Sequence, residues 1–224
     1  MDLVSQQAMM ILMLSNVAAI GLLLLMALVR RRSVAQHLQL QSMNPLAILP
    51  IILLGAGANL LMSLLLSAIP FPEHWMQNYE AAYSMIPDEA TVISFLSVAL
   101  LGPITEELAF RGLVYTRLRS GMPKLAAAIL SSLLFGLVHG DLIWFFYTVP
   151  MGLLLVWLLE RFQTLWAPML LHIAFNAASS LLSLLPETTV VSFALLGAGI
   201  VLCAGSTVWI FRLTRQKAPL QTAV

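Results

Sequence analysis

The chain is a succession of long apolar runs separated by short polar breaks. A helix rises about 1.5 Å per residue, so roughly 20 apolar residues reach across a bilayer core. Seven runs approach or exceed that length: residues 8–29, 46–69, 91–119 with an internal Pro103, 125–139, 142–159, 167–185 and 190–211. They predict an all-α, polytopic transmembrane helix bundle of about seven membrane helices. The first run lacks a basic segment before it and has Arg30, Arg31 and Arg32 after it, so it reads as a retained helix rather than a cleavable leader. The connection over residues 70–90 holds Pro70, Pro72, Pro87, Phe71, Trp75 and Tyr79, and is expected along the outer interface. Trp144, Trp157, Trp166 and Trp209 fall near run ends, where amphipathic rings anchor at headgroup level.

Composition agrees with that pattern. Of 224 residues, 60% are hydrophobic and 9% charged, against roughly 45–50% and about 25% in a soluble domain. So few charges could not cover a soluble surface. One membrane domain over residues 1–224 is expected, without internal repeats. The net charge of +1 and the lack of a basic stripe interleaved with aromatics exclude nucleic acid as a partner. The single cysteine, Cys203, allows no intrachain disulfide and no cysteine-based zinc cluster, and reads as a packed residue.

Charge placement sets an orientation, because Lys and Arg collect on the cytoplasmic side. With the N-terminus outside and the C-terminus cytoplasmic, the inner side receives Arg30, Arg31, Arg32, Arg117, Arg119, Lys124, Arg161, Arg212, Arg215 and Lys217, ten of the eleven basic residues. The outer side receives Asp2, Glu73, Glu80, Asp88, Glu89, Asp141 and Glu187. The implied location is the plasma (inner) membrane, with membrane lipids as surroundings.

Ionisable groups inside a membrane helix cost several kcal/mol and face the protein interior or a wet cavity. Four strings break the apolar rule: Glu106-Glu107-Leu108-Ala109-Phe110-Arg111, Phe135 to His139, Gly140-Asp141, and His172 to Asn176. Glu107 and Arg111 are four apart, share a face and can pair. Glu106 lies about 100° around the helix and is free to face something else. Mutual repulsion and burial should raise one carboxyl's pKa, and Arg111 holds Glu107 ionised, leaving Glu106 as the candidate for proton exchange. His172 and Asn176 also share a face. Gly136 and Gly140 flank His139 in a small-xxx-small arrangement that admits another helix. Three converging helices would assemble a general base, a proton carrier and oxyanion donors.

Together these residues resemble the CPBP family of intramembrane proteases, which includes the Ras-converting CAAX endopeptidases and bacterial proteins linked to bacteriocin self-immunity. The family pattern reads here, without departure, as Glu106-Glu107-x-x-x-Arg111, Phe135-x-x-x-His139 and His172-x-x-x-Asn176, over residues 94–185. The resemblance implies an intramembrane endopeptidase in which Glu106 and His139 activate a water. It implies that His172 and Asn176 stabilise the tetrahedral oxyanion, with Glu107 and Arg111 in support. It also implies a membrane-associated peptide or protein substrate, prenylated in the CAAX branch. The family is commonly labelled a metalloprotease, and Glu106, His139 and His172 could form a His₂Glu zinc set with an open water position. No His-Glu-x-x-His motif is present, and the preferred mechanism uses the same groups without a metal.

Plainer readings compete. Arg111 could snorkel toward the cytoplasm as structural support. Phe135 reads as packing, Asp141 as a solvated loop residue ahead of a partner for His139, and His37 and His74 as surface. Gly55 with Gly57, and Gly197 with Gly199, read as helix-packing positions. As a whole the chain could be a non-catalytic scaffold or bacteriocin self-immunity protein. A transporter should show two similar halves with interrupted helices, which are not seen. One tension concerns depth: Glu106 falls near mid-membrane and His172 about 8 Å from its helix start. Tilt, a buried start at Ala167, or bends at Pro103 and Pro168 would reconcile them.

Overall fold

The computed structural model describes residues 3–29, 39–84, 92–182 and 188–215. Arg30, Arg31, Arg32, His37, Asp2, Pro87, Asp88, Glu89, Glu187 and Lys217 lie outside the described residues. Among the described residues there are eight helices, counting contiguous helical stretches as one, and no strand. α1 is Leu3–Val29. α2 is Pro45–Ala68, entered through one tight turn capped by Asn44, whose side chain accepts from the Leu46 N–H. α3 is Glu73–Ser84. α4 covers residues 92–121 and changes register along its length: stretches of i→i+5 bonding, Leu96–Leu101 and Glu107–Tyr115, alternate with ordinary α-turns. α5 is Lys124–Leu137, α6 Leu142–Phe162, α7 Trp166–Leu182 and α8 Thr189–Arg215.

The chain is thus an all-helical, polytopic membrane protein. α2, α6 and α8 are long and apolar enough to cross a bilayer, whereas α5, α7 and the Met10–Leu22 part of α1 are shorter apolar helices. The exterior carries Ile11, Leu14, Leu65, Val190, Phe193 and Val201, all more than half exposed. Such side chains suit contact with lipid tails.

Hydrophobicity does not drive helices together in lipid, so their contact depends on close packing. α2 is the central example, with α7 and α8 both packed on it. A Cβ on Gly55 would meet the Ala174 Cβ at 2.9 Å, and one on Gly57 the Leu202 Cβ at 2.8 Å. Gly199 is equally tight against Leu61, but Gly197 faces open space and is not a packing position. Ile51, Leu54, Leu155, Leu158, Leu171 and Phe175 fill the buried core between α2, α6 and α7.

The α5–α6 corner corrects one sequence expectation and extends another. Gly136 does admit its neighbour, since a Cβ there would meet Val149 at 2.7 Å and Phe145 at 2.8 Å. Gly140, in contrast, has nothing within 4 Å of such a Cβ and a φ of +73°. Its task is the left-handed turn that ends α5, a conformation a Cβ would oppose. Asp141 stands partly exposed on the connection, as a loop residue, and also has a structural task. It caps α6, accepting from the Ile143 N–H at 2.8 Å and the Trp144 N–H at 3.0 Å.

Charges sort to the two ends of the bundle. At one end Lys124 pairs with Glu160 at 2.8 Å, the Tyr115 hydroxyl donates to Glu160 at 2.6 Å, and Arg161 donates to Thr214 at 2.6 Å. That end gathers the C-termini of α4, α6 and α8. At the other end α3 lies against the start of α6, with Trp75 stacked 6.1 Å from Phe146 and Tyr79 edge-on 6.1 Å from Trp144. The residue 70–90 connection therefore contains a helix, held by the i, i+4 series Phe71, Trp75 and Tyr79. Burial, then the nearby Asp141 charge, raises the Tyr79 phenol above its ordinary pKa.

α7 begins inside the protein. Thr164 donates to the Gln41 carbonyl at 2.7 Å and the Leu165 N–H to the Gln39 carbonyl at 2.8 Å, while Leu165 and Ala167 are wholly buried. This sunken start places His172 deep enough to meet α4. Pro168 plays no part as a bend, because it sits in the first turn, where its missing N–H has no helical partner to lose.

Candidate functional site

Pro103 shapes α4 locally. The Gly102 N–H reaches back five residues to the Ser97 carbonyl, and the next residue, Pro103, has no N–H to offer Val98. The Val98 carbonyl is instead met by the side chain of Asn176, whose Nδ2 donates to it at 3.0 Å. A helix irregularity on α4 thereby fixes a polar side chain on α7. One Asn176 amide hydrogen is committed there and the second is left over.

Glu106 and Glu107 diverge as their spacing on a helix requires. Glu107 is wholly buried and pairs with Arg111 at 2.8 Å. Arg111 is also wholly buried, so it does not snorkel. Its guanidinium lies 4.3 Å over the Phe135 ring and reaches the Gly152 carbonyl at 3.4 Å. Glu107 Oε2 and Arg111 Nε have no protein partner. Glu106 points the other way, its side chain 35% exposed into a cavity.

His172 is bracketed by the two carboxylates. Its Nδ1 lies 2.9 Å from Glu107 Oε1, and its Nε2 lies 3.6 Å from Glu106 Oε2. The carboxylate paired with Arg111 accepts, so Nδ1 carries the donated proton and Nε2 faces the cavity. His139 follows the same logic, because its Nδ1 sits 2.7 Å from the Phe135 carbonyl, which can only accept. Nδ1–H therefore donates, and in the neutral ring Nε2 keeps a lone pair. Phe135 packs edge to face with both imidazoles, at 4.8 Å from His139 and 5.9 Å from His172. It separates Arg111 from the cavity.

Glu106, His139, His172 and Asn176 all line one cavity of about 430 Å³. Glu107 and Arg111 stand behind its wall. Trp144, expected as an interface anchor, also lines it and lies 6.4 Å from the His139 ring. A second cavity, about 280 Å³ and bounded by Trp75, Asn78 and Asp141, touches His139 from the other side. Sequence reasoning missed the polar lining contributed elsewhere: Asn16 from α1, Asn59 and Ser63 from α2, and Ser97 from α4. Asn16 and Asn59 were detectable as polar residues within apolar runs. Ser97 was not, because its face depends on the local register of α4.

Among the described residues no three His, Cys, Asp or Glu side chains gather into a set able to hold a metal. His172 gives Nδ1 to Glu107, and its Nε2 faces a carboxylate oxygen 3.6 Å away. That spacing suits two ligands of one zinc ion, each about 2.0–2.2 Å from it; what the arrangement lacks among the described residues is a third.

Comparison with known proteins supports the family resemblance. Residues 88–178, which contain all three motifs, match the family described as Type II CAAX prenyl endopeptidase Rce1-like. A Bacillus subtilis (strain 168) protein named "Putative membrane peptidase YdiL" is 28% identical over 110 residues, 49% of this chain and 44% of that protein. The match thus spans less than half of the relative's length. No solved structure matches the chain.

Proposed function

We propose that this membrane protein is an intramembrane endopeptidase that hydrolyses a peptide bond of a membrane-associated peptide, a prenylated one if it acts as the CAAX relatives are named. One observation carries the reading: four polar side chains from three different segments line one cavity of an otherwise apolar bundle. Groups this costly in a membrane need a use.

The chemistry follows from the hydrogen bonds. Water in the cavity gives a proton to the Glu106 carboxylate while His139 Nε2 accepts its second hydrogen bond, and the oxygen attacks the carbonyl carbon. Negative charge then develops on the former carbonyl oxygen. His172 donates to it from Nε2 when both ring nitrogens carry protons, with Nδ1 held by Glu107. The free amide hydrogen of Asn176 is the second donor. Glu106 returns its proton to the departing amine as the C–N bond breaks, giving a carboxylic acid and an amine. Glu107 and Arg111 hold His172 in place. These groups suffice for hydrolysis without a metal ion.

The basic end of the bundle is read as cytoplasmic and the α3 end as external, in the plasma membrane. The test compares membrane peptides from cells carrying the wild-type protein or Glu106→Gln. At least one peptide should accumulate uncut with the variant. An identical peptide pool would contradict proteolysis and favour a scaffold.

A further inference from the structure

Two polar side chains in the cavity wall have no use in the hydrolytic scheme. Asn59 on α2 is 3% exposed and Ser97 on α4 is fully buried. Both line the cavity, and neither Asn59 Oδ1 nor Ser97 Oγ has a hydrogen-bond partner. Hydroxyls in helices usually satisfy themselves on the preceding turn. Thr105, Ser132 and Thr148 all do so here, at 2.7–2.8 Å. Ser97 does not. Ser131 and Ser206 also lack partners, but neither lines either of the two cavities described above.

The register of α4 explains why Ser97 faces this space. In a regular α-helix nine residues turn through about 900°, which would set Ser97 opposite Glu106. The i→i+5 bond from Gly102 N–H to the Ser97 carbonyl instead stacks these two residues, and Glu106 follows four later. Ser97, Gly102 and Glu106 therefore form one strip along the cavity. Gly102 leaves the strip without a side chain at its middle, so a backbone can lie along it. Single π-turns of this kind recur at functional sites.

Resting on the hydrolytic reading, we infer that Asn59 and Ser97 form a subsite that grips a backbone amide of an extended substrate. The chemistry selects a peptide group. An Asn side chain offers one acceptor and two donors, complementary to the N–H and C=O of a peptide. Among the described residues no Lys or Arg lines the cavity, so a phosphate headgroup would meet no countercharge from them there. The strip from Glu106 to Ser97 is roughly 12–14 Å long at helical rise, about four residues of extended chain. The gripped amide thus lies three to four residues from the cut.

The probe is the peptide that accumulates with Glu106→Gln, made synthetically, together with copies N-methylated at one backbone amide at a time. In wild-type protein, methylation three to four residues from the cut should raise KM about tenfold. Asn59→Ala should cut the unmodified peptide with KM raised about tenfold and kcat within twofold, and should ignore that methyl group. Ser97→Ala should behave alike with a smaller change. Neither substitution should lower the unfolding midpoint in detergent, because each removes a group without a partner. Unchanged KM in both variants, or an undiminished response to the same methyl group, overturns the subsite and leaves hydrolysis standing. Equal cleavage by Glu106→Gln overturns the hydrolytic reading and the subsite with it.

Discussion

Two regions of the molecule meet at adjacent residues of α4. Behind Phe135, Glu107 and Arg111 are fully buried and locked to each other, to His172 and to the Phe135 face. In front of it, Glu106, His139, Asn59 and Ser97 face a cavity, with atoms unpartnered or partly exposed. The same kind of polar side chain is therefore held in two ways. A closed ion pair fixes geometry, and an open lining keeps groups available to a ligand. The contrast assigns stability to the first region and chemistry to the second.

Arg111→Ala should give the largest loss of stability. It strands the Glu107 carboxylate, and removing one member of a buried ion pair costs about 3–5 kcal/mol. Unfolding in detergent micelles should show a clear loss of midpoint. Retained stability would break the assignment of the closed region.

Phe135→Leu comes next and attacks the partition itself. It removes a desolvated cation–π contact worth about 2 kcal/mol and the edge on which both imidazoles rest. The expected result is a moderate drop in midpoint with a larger proportional drop in cleavage. Equal proportional losses would mean that Phe135 serves packing alone.

Much of this contrast was legible in the sequence. The run 46–69 became Pro45–Ala68, 142–159 became Leu142–Phe162 and 190–211 became Thr189–Arg215, because uninterrupted apolar stretches leave little choice of structure. The Glu107–Arg111 pair followed from a spacing of four. Other features depended on geometry that residue types do not encode singly. Arg111 is buried because the Phe135 ring and Glu107 enclose it, so its long stem never reaches an interface. Gly140 looked like a packing glycine, yet its φ reveals a turn. Ser97 faces the cavity only through the i→i+5 register before Pro103. The depths of Glu106 and His172 agree because α7 starts beneath Gln39 and Gln41, a tertiary contact between segments far apart in the chain.

The central claim is that Glu106 does chemistry while its neighbour holds structure. The direct test is the turnover of the accumulated peptide by purified Glu106→Gln protein, compared with wild type at equal folded fraction. Loss of a positioned general base predicts turnover lower by about 10²-fold or more, with an unchanged unfolding midpoint. Turnover close to wild type would contradict the account.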